Sequence, residues 1–485
     1  MKQCKIIVKD EVNAKLEGIE LAERKALMKM FEYEVPGARY LPAVRLGRWN
    51  GKISYFSLAG STYINLLPEI LPVLDRAGYD IELVDLRDYS NQFLFDNVSE
   101  DTFAHKNWPK GHVKAGEPIL LRDYQVELVN NFLENSQSLQ EIATGAGKTL
   151  MTAALSYRIE KYGRSIVIVP NKSLVTQTEA DYINLGLDVG VYFGERKEYN
   201  KTHTICTWQS LNNMLKKTKS GEAEVEIGDF IEGVVCVMVD EVHMAKADAL
   251  KTLLTGVFSK IPIRWGLTGT IPKAKFEVQS IFVSLGPVIG KLSASELQDQ
   301  GVLARCHVNI MQLQDNKDFT NYQSELKHLL EDSDRLDKIA SLIHGINDTG
   351  NTLILVDRVN AGKEIVNRLP GSVFVSGATG LTERKEEYDE VATSSNKIIV
   401  ATYGVAAVGI NIPRIFNLVL IEPGKSFVRV IQSIGRGIRK AEDKDHVQIY
   451  DITSSCKFAK RHLTQRKAFY REANYPFDVE KLTYR

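Results

Sequence analysis

The sequence predicts an α/β fold in which two doubly wound parallel-sheet lobes follow a small α+β domain. Between 138 and 270, short β-branched runs alternate with stretches of helical periodicity. The same alternation restarts at 351, which indicates a second lobe of similar size. Residues 1–115 lack this rhythm and form the predicted N-terminal domain, so we assign the lobes to residues 116–300 and 301–485.

The strands of both lobes are near-continuous apolar runs, which is typical of parallel strands buried on both faces. In the first lobe they are "SIVIVP" (165–170), "THTICTW" (202–208), "GVVCVMVDE" (233–241) and "RWGLTGT" (264–270). Helices are predicted between them, notably at 149–162 and 173–184. In the second lobe the strands are "NTLILVD", "SVFVSG", "NKIIVATYG", "NLVLIEP" and "VQIYDI". The polar composition of 290–330 predicts the junction between the lobes.

The N-terminal domain has its own pattern. "CKIIVKD" predicts a strand, "LAERKALMKMF" a helix, and "KISYFSL" a strand that follows an Asn-Gly turn signal. The domain is expected to end near the polar stretch "NWPKGHVKAGEP" (107–118).

Composition excludes several classes of protein. The hydrophobic content of 44% and charged content of 25% are those of an ordinary globular chain. Five scattered cysteines and nine histidines form no ligand cluster, which indicates a reducing compartment without a disulfide framework or zinc site. The charged N-terminus is no signal peptide and no apolar run has membrane length, so we expect a cytoplasmic protein without a membrane partner.

The net charge is zero, which argues against a polybasic binder but leaves room for a local nucleic-acid groove. Two stretches are basic and free of acids. Residues 35–68 carry four basic residues, and 453–471 carry six. We interpret the second stretch, on a predicted tail helix at 457–474, as a surface that follows a nucleic-acid backbone.

The glycine-rich stretch "ATGAGKTL" (143–150) follows an apolar segment and opens a helix, so its backbone N–H groups can cradle phosphates. The cradle residues are Thr144, Gly145, Ala146 and Gly147. Lys148 can reach the β and γ oxygens, and the Thr149 hydroxyl can bind Mg²⁺. Ile142 stands where the full pattern has a small residue.

The run "CVMVDEVH" (236–243) is a buried strand that ends in two acids. Unpaired carboxylates are costly at such a position, so a chemical role is favoured over packing. Asp240 is suited to hold Mg²⁺, and Glu241 can orient and deprotonate an attacking water. Together the two motifs predict that the chain binds and hydrolyses a nucleoside triphosphate.

The stretch "QSIGRGIRKA" (432–441) places Arg436 and Arg439 about one helical turn apart. Gly435 and Gly437 bracket the first arginine, which indicates a close approach to this backbone. Phosphoryl transfer needs positive charge on the γ-phosphate, and neither earlier motif supplies an arginine. We interpret the pair as arginine fingers delivered from the second lobe. A solvated helical face is the alternative.

The ordered motifs resemble those of superfamily 2 helicases over roughly 118–452. They are "LRDYQ" (121–125), "ATGAGKT", "VPNKSLVTQ" (169–177), "TWQSL" (207–211), "DEVH", "LTGT" (267–270), "ATYGVAAVGINIP" (401–413) and "QSIGRGIRK". The resemblance implies RecA-like lobes, ATP and Mg²⁺ as cofactors, and an adenine contact by Gln125 beside Arg122. It also implies that Gly409 lies near the γ-phosphate, that Gln432 faces the nucleotide, and that His243 links the nucleotide site to the lobe interface.

The same resemblance implies nucleic-acid contacts. The residues concerned are Lys172, Gln177, Thr207, Gln209 and Thr402. Singly, the threonines could be simple strand formers and Lys172 a loop lysine. The element "TGT" (268–270) has glycine where the family usually has alanine, which makes this loop more flexible.

Within the superfamily the chain is most similar to phage UvsW-type branch-migration helicases. "RLGRWNGKISYF" (45–56) resembles the basic, aromatic element of that family's N-terminal domain. Arg45, Arg48 and Lys52 would contact phosphates, and Trp49 would stack on a junction base. Alternatively, Trp49 packs on a core beside an Asn-Gly hairpin turn.

These inferences predict an ATP-dependent DNA helicase or translocase that acts on branched or forked DNA. Its substrates would include Holliday junctions, stalled forks, D-loops and R-loops, the last containing an RNA–DNA hybrid. The alternatives are an RNA helicase and the motor subunit of a restriction or nuclease complex.

Overall fold

The computed structural model describes residues 2–484, except 91, 111, 113, 245, 246, 316, 410, 411, 413, 426–433 and 436–442. The chain divides into two compact units. The first comprises Met1–Glu141 and Gly147–Lys291, and the second Ile142–Ala146 and Leu292–Arg485. The N-terminal region and the first lobe therefore belong to one unit.

The N-terminal region is a small α+β structure. Its elements are β1 (Lys2–Val8), β2 (Asn13–Glu17), α1 (Leu21–Met30), β3 (Glu32–Glu34), α2 (Pro42–Arg45), β4 (Lys52–Ser54), β5 (Ser61–Tyr63), α3 (Leu67–Arg76) and β6 (Tyr79–Asp85). The sheet order is β5-β2-β1-β6, with β1 parallel to β6 and antiparallel to β2. Strands β3 and β4 form a separate antiparallel ribbon. Residues 35–51 connect them, so the Asn50-Gly51 turn precedes β4 without closing a two-residue hairpin.

The first lobe is an eight-stranded sheet with helices between its strands. Its elements are α4 (Asp123–Glu134), β7 (Gln137–Ile142), α5 (Lys148–Ile159), β8 (Arg164–Val169), α6 (Lys172–Asn184), β9 (Val189–Phe193), β10 (Arg196–Lys197), β11 (His203–Thr207), α7 (Trp208–Ser220), α8 (Ile227–Ile231), β12 (Val234–Asp240), α9 (Ala247–Thr255), β13 (Ile263–Thr268), α10 (Lys275–Leu285) and β14 (Val288–Leu292). The order is β10-β9-β11-β8-β12-β13-β7-β14, and the strands from β9 to β7 pair in parallel. Strand β12 is buried along its apolar run and is the fifth of the eight strands, so it ends near the centre of the carboxyl edge.

The N-terminal region packs on α10 of the first lobe. The Tyr55 hydroxyl donates to the Phe276 carbonyl at 2.8 Å and lies 2.5 Å from the Ser280 hydroxyl. Asn65 donates its amide to the Phe282 carbonyl at 2.8 Å. The Lys251 ammonium of α9 lies 4.3 Å from the Tyr55 ring centroid, a cation–π distance. These buried contacts explain why the two parts form one unit.

The second lobe is a seven-stranded sheet whose neighbouring strands all pair in parallel among the described residues. Its elements are α11 (Ala294–Asp299), β15 (Arg305–Leu313), α12 (Tyr322–Glu331), α13 (Ser333–Asn347), β16 (Thr352–Val356), α14 (Val359–Arg368), β17 (Val373–Val375), α15 (Leu381–Thr393), β18 (Ile398–Thr402), α16 (Tyr403–Gly409), β19 (Asn417–Ile421), β20 (His446–Ser454), α17 (Lys457–Glu472) and β21 (Phe477–Leu482). The order is β17-β18-β16-β19-β20-β15-β21.

The predicted fold class is confirmed, because two parallel-sheet lobes follow a small α+β region. The polar stretch expected to join the lobes is partly structured, however. Strand β15 lies inside it and pairs with both β20 and β21. Its burial alternates along "RCHVNIMQL", so it does not show the continuous apolar run by which the other strands were recognised.

Candidate active site and nucleic-acid contacts

The loop between β7 and α5 has the backbone that a phosphate cradle requires. Gly145 and Gly147 have φ angles of 94° and 82°, which side-chain-bearing residues rarely adopt. A Cβ on Gly147 would lie 2.5 Å from the Gln125 side-chain nitrogen. Helix α5 begins at Lys148, directly after the loop, so the positive end of its dipole lies at the loop and favours an anion there. The residues present therefore fit a bound triphosphate.

Gln125 lies beside this loop, as an adenine-reading residue should. It is 4% exposed, and its side-chain oxygen accepts the Arg122 N–H at 2.9 Å, which fixes the first turn of α4. The Arg122 guanidinium donates to the Tyr124 hydroxyl at 3.1 Å. Both residues of the "LRDYQ" element are thus held in defined positions next to the glycine-rich loop.

The lysine of the glycine-rich motif and the glutamate of "DEVH" form a buried ion pair. The Lys148 ammonium lies 2.7 Å from a Glu241 carboxylate oxygen, and their side chains are 9% and 7% exposed. Burial by itself raises the pKa of Glu241, but the Lys148 ammonium and then His243 outweigh it and hold that pKa below its usual range. Glu241 is therefore an ionised carboxylate at neutral pH.

Asp240 is the last residue of β12, and its carboxylate accepts the Glu241 N–H at 2.9 Å. Glu241 itself has a φ angle of 50°, an unusual value for a residue with a side chain and one that clusters at functional sites. Thr149 follows Lys148 in the first turn of α5. Thr149 and Asp240 each adjoin one partner of the Lys148–Glu241 pair in sequence, and their side-chain oxygens are of the type that Mg²⁺ prefers.

The "LTGT" element is bonded directly to the "DEVH" element. The Gly269 N–H donates to a Glu241 carboxylate oxygen at 3.2 Å. The His243 Nδ1 atom lies 2.6 Å from the Thr268 hydroxyl, which itself donates to the Thr270 carbonyl at 2.8 Å. Because the hydroxyl proton is used in that bond, Nδ1 must be the donor to Thr268. The sequence suggested a coupling role for each element but not this bonded pair.

Three predicted catalytic residues, Gln432, Arg436 and Arg439, lie outside the described residues. Gly435 is described, and a Cβ at this position would lie 3.2 Å from the Thr144 Cβ within the second unit. The close approach expected from the glycine pair is therefore found at a residue of the phosphate cradle. Gly409 is the last residue of α16.

The predicted nucleic-acid contacts of the first lobe lie at the carboxyl ends of two neighbouring parallel strands. Lys172 opens α6 after β8, and Thr207 ends β11, the next strand in the sheet. Lys172, Gln177 and Gln209 are exposed, whereas Thr207 is 4% exposed and caps α7 by accepting the Ser210 N–H at 3.3 Å. A capping role thus accounts for Thr207 on its own. In the second lobe Thr402 ends β18 and accepts the Val405 N–H at 3.4 Å.

The basic N-terminal element is a surface feature. Arg45 and Arg48 are exposed, and Trp49 is half-buried with its indole N–H donating to the Lys52 carbonyl at 2.9 Å. The Lys52 ammonium lies 3.0 Å from a Glu32 carboxylate oxygen. The element is therefore less purely cationic than its own sequence indicates. The burial of Trp49 is therefore intermediate between that of an exposed stacking residue and that of a core residue, the two alternatives that the sequence allowed.

The chain matches known family models in both lobes. Residues 118–273 match the family model "Type III restriction enzyme, res subunit", and residues 334–441 match "Helicase conserved C-terminal domain". The "ATP-dependent DNA helicase uvsW" of Enterobacteria phage T4 is 25% identical over 91% of this chain and 89% of its own length. A "DNA 3'-5' helicase XPB" of Kineococcus radiotolerans is 23% identical over 74% of this chain and 65% of its own.

Among solved structures, a fragment of a putative HsdR subunit of a type I restriction enzyme from Vibrio vulnificus matches at a TM-score of 0.56. It is 17% identical and covers 97% of this chain and 85% of that one, which supports the fold. Among the described residues, no helix is both long and apolar enough to cross a membrane. With matched models in both lobes and a UvsW relative aligned along most of its length, the chain belongs to the superfamily 2 helicases, which are nucleic-acid-dependent ATPases, and is close to phage UvsW.

Proposed function

We propose that this chain is an ATP-dependent DNA motor that remodels branched DNA, by branch migration, fork regression or the unwinding of D-loops and R-loops. The buried contact between Lys148 and Glu241 carries the ATPase part, because it joins the two motifs that phosphoryl transfer requires. The proposed domains are residues 1–115 for substrate recognition, 116–300 for nucleotide binding, and 301–485 for the second lobe.

In the proposed mechanism, ATP binding changes the partner of Lys148. The Lys148 ammonium gives up its contact with Glu241, wholly or in part, and contacts the β and γ oxygens. The glycine-rich loop donates backbone N–H groups to the phosphates. Thr149 and Asp240 would hold Mg²⁺, which neutralises phosphate charge when it is bound.

Once Lys148 has turned to the phosphates, the Glu241 carboxylate has lost its nearest cation and becomes a stronger base. It orients the attacking water, and it accepts that water's proton as the bond to the γ-phosphorus forms and the bridging bond breaks. Arg436 and Arg439 would stabilise the charge of the transferring group.

The hydrogen bonds of the "LTGT" element offer a route from hydrolysis to motion. Glu241 and His243 are each bonded to this element, so a shift of the glutamate at hydrolysis changes contacts at Thr268 and Gly269. We propose that Glu241 and His243 transmit the state of the nucleotide to the exposed contacts Lys172, Gln177 and Gln209 and to Thr207, at the strand ends of the first lobe. Thr402 would be the corresponding contact of the second lobe.

The DNA-remodelling part rests on two observations. The relative named for phage T4 UvsW aligns with 91% of this chain, which is more than the two lobes alone comprise. In that region Arg45, Arg48 and the half-buried Trp49 present charge and an aromatic surface to solvent. Such a surface suits phosphate contacts and base stacking at a junction.

A motor subunit of a restriction complex is the second candidate, because the model matched by the first lobe is named for a restriction enzyme. One experiment separates the two and also tests an RNA helicase. ATP hydrolysis is measured with single-stranded DNA, plain duplex, a four-way junction, a fork, an RNA–DNA hybrid and single-stranded RNA. Stimulation that is greatest on junctions and forks supports our proposal. If plain duplex stimulates ATP hydrolysis most, the restriction motor is favoured. If single-stranded RNA stimulates it most, the RNA helicase is favoured.

Branch migration itself is measured on a labelled four-way junction. The wild-type chain should convert the junction to duplex products in the presence of ATP. The Lys148→Ala variant, which lacks the phosphate contact, is the control and should give no products.

A further inference from the structure

A cleft of about 500 Å³ lies in the second unit, where the chain leaves β19 and passes beside α17. Its walls combine aromatic, cationic and amide side chains. Those used below are Tyr322, Lys425, Phe458, Arg461, His462 and Gln465. None of the described residues that line the cleft is acidic. Cavities of this size accept ligands as large as a nucleotide.

Helix α17 contributes one face to this cleft. Its lining residues Phe458, Arg461, His462 and Gln465 follow a spacing of three, four and seven, which places them on one side of the helix. The helix has no acid before Glu472, so that face is not neutralised from within its own sequence. Lys425 faces the same space from the chain that follows β19.

The walls are held by buried bonds. The Arg466 guanidinium pairs with Asp451 at 2.8 and 2.9 Å, and it also donates to the Gly424 carbonyl at 2.8 Å. This corrects the expectation that all six basic residues of the tail helix form a surface, because Arg466 is fully buried. Glu325 accepts the N–H groups of Phe458 and Ala459 at 2.9 and 2.6 Å. A wall that is already ordered loses little entropy when a ligand binds.

The histidine in the cleft supplies hydrogen bonding and not charge. Burial, together with the nearby charges of Arg466, Lys425 and Arg461, lowers the pKa of His462 to about 4, so the ring is neutral at pH 7. Its ring lies 4.9 Å from that of Tyr322 in an edge-to-face arrangement. The positive charge of the cleft therefore comes from Lys425 and Arg461, both of which are exposed.

The cleft shares an edge of the sheet with a predicted nucleic-acid contact. Thr402 ends β18, and the 422–425 segment follows β19, with only β16 between these two parallel strands. Two strand spacings amount to roughly 10 Å. A strand of nucleic acid that contacts Thr402 could therefore reach the cleft along the same edge.

We propose that the cleft binds one nucleotide of a single-stranded nucleic acid, with its phosphate on Lys425 and Arg461 and its base against Tyr322 and Phe458. Two cations without acids suit a phosphate, and the aromatic wall with Gln465 suits the face and edge of a base. Duplex is too wide for a cavity of this size. The inference rests on the proposed function, because it adds a contact to the same motor.

The test compares two double variants that remove the same charge. Lys425→Ala with Arg461→Ala removes the cations of the cleft. Lys327→Ala with Lys363→Ala removes two exposed lysines, one on α12 and one on α14, that do not line the cleft. Binding to fluorescent dT and rU oligonucleotides is measured between roughly 50 and 200 mM salt, and folding is checked by thermal unfolding.

We expect the cleft variant to bind about tenfold or more weakly, with a log–log salt slope lower by about 0.7, since one neutralised phosphate contributes about 0.7 on a single strand. The control should change less than about twofold. Equal losses in both variants would show that only net charge matters, and that result overturns the cleft. Unchanged binding in the cleft variant also overturns the proposed nucleotide site. An acidic peptide, which the same two cations could bind, would then be the better candidate ligand.

A second measurement uses the wild-type chain and does not depend on any variant folding. An oligonucleotide carrying 5-bromodeoxyuridine is cross-linked by light, and the attached peptide is identified by mass spectrometry. Attachment at Tyr322 or Phe458 supports the cleft, whereas attachment only elsewhere overturns it. If no nucleic acid stimulates the wild-type ATPase, the proposed function fails as well. If nucleic acid stimulates the ATPase but cross-links only outside the cleft, the cleft proposal fails and the proposed function stands.

Discussion

Two regions of this chain concentrate charge for function, and they differ in burial. The Lys148–Glu241 pair is less than one-tenth exposed, since Lys148 opens α5 and Glu241 directly follows the buried strand β12. In the N-terminal element, Arg45 and Arg48 extend into solvent and Lys52 pairs with Glu32 at the surface. Coulomb attraction is many times stronger in a buried site than at a wet surface. The first region can therefore direct chemistry, whereas the second can contribute only to binding.

The largest expected effects lie at the buried pair. Lys148→Ala should abolish ATP hydrolysis by weakening phosphate binding, and Glu241→Gln should abolish it while ATP remains bound. The two variants are separated by measuring ATP affinity together with the rate of hydrolysis. A near-normal rate in either variant would mean that the active site lies elsewhere.

Substitution of Arg436 or Arg439 should have the next largest effect on ATP hydrolysis. If they act on the transition state, alanine at either position lowers kcat by roughly 10³ to 10⁵ while ATP affinity changes much less. Lysine should rescue poorly, because an ammonium cannot span two phosphate oxygens as a guanidinium does. Thermal unfolding is the control, since Gly435 lies close to Thr144. A well-folded Arg436→Lys chain with a wild-type rate would rule out the finger role.

The exposed element should affect DNA affinity to a moderate extent. Arg45→Ala and Arg48→Ala should each lower the salt dependence of junction binding by about one unit of slope, and Trp49→Ala should cost about 1–3 kcal/mol if it stacks on a base. Arg76→Ala, an exposed arginine on α3 of the same region, is the control. Salt titrations on a labelled junction measure both effects. No change in the three variants would assign this surface another purpose.

Much of the site was predictable because its chemistry demands fixed residue types at fixed spacing. Lys148, Glu241 and the glycines of the cradle are where their motifs imply, and Gln125 lies beside the loop. Pairings between distant segments could not be predicted. Nothing in the sequence near Tyr55 indicates its bonds to Phe276 and Ser280, or links Arg466 to Asp451.

The same limit explains the missed strand β15. Its neighbours in the sheet, β20 and β21, are far away in sequence, and its own alternating pattern resembles a surface segment. Long-range pairing can stabilise a strand whose local signal is weak. Local periodicity therefore finds buried central strands more readily than strands paired with distant partners.

The buried pair also predicts a pH dependence of stability whose sign changes on mutation. In the wild-type chain the Glu241 pKa is lowered below its ordinary 4.5, so the stability that it contributes is present above that value and is lost as the pH falls further. In Lys148→Ala the principal cation is absent and burial raises the Glu241 pKa instead. That variant should lose stability as the pH rises from the ordinary pKa of a glutamate to beyond the raised one. The free energy of unfolding then falls by up to about 1.4 kcal/mol for each pH unit that separates the two pKa values.

Thermal unfolding of both chains at several pH values measures this. His243 lies 3.6 Å from Glu241 and its charge also lowers the pKa of that carboxylate, so Lys148→Ala is compared with the same substitution combined with Glu241→Gln. The double variant has no carboxylate at this position and should not show the loss at higher pH. A loss of equal size in both would assign the effect to another group.

The smallest expected effect concerns how the exposed region is joined to the lobe that holds the buried pair. Deleting residues 1–112 would uncover α10 and confuse lost binding with lost folding, because Tyr55 and Asn65 bond to that helix. Tyr55→Phe is a finer test, since it removes one hydroxyl and leaves the Phe276 carbonyl and the Ser280 hydroxyl without it. We expect a loss of about 1–3 kcal/mol in the free energy of unfolding, the cost of buried polar groups left unpaired. Tyr33→Phe is the matched control, because Tyr33 contacts the Tyr55 ring but its hydroxyl makes no hydrogen bond within the described part of the chain. If both variants unfold at the wild-type temperature, the N-terminal region is held by apolar packing and not by these bonds.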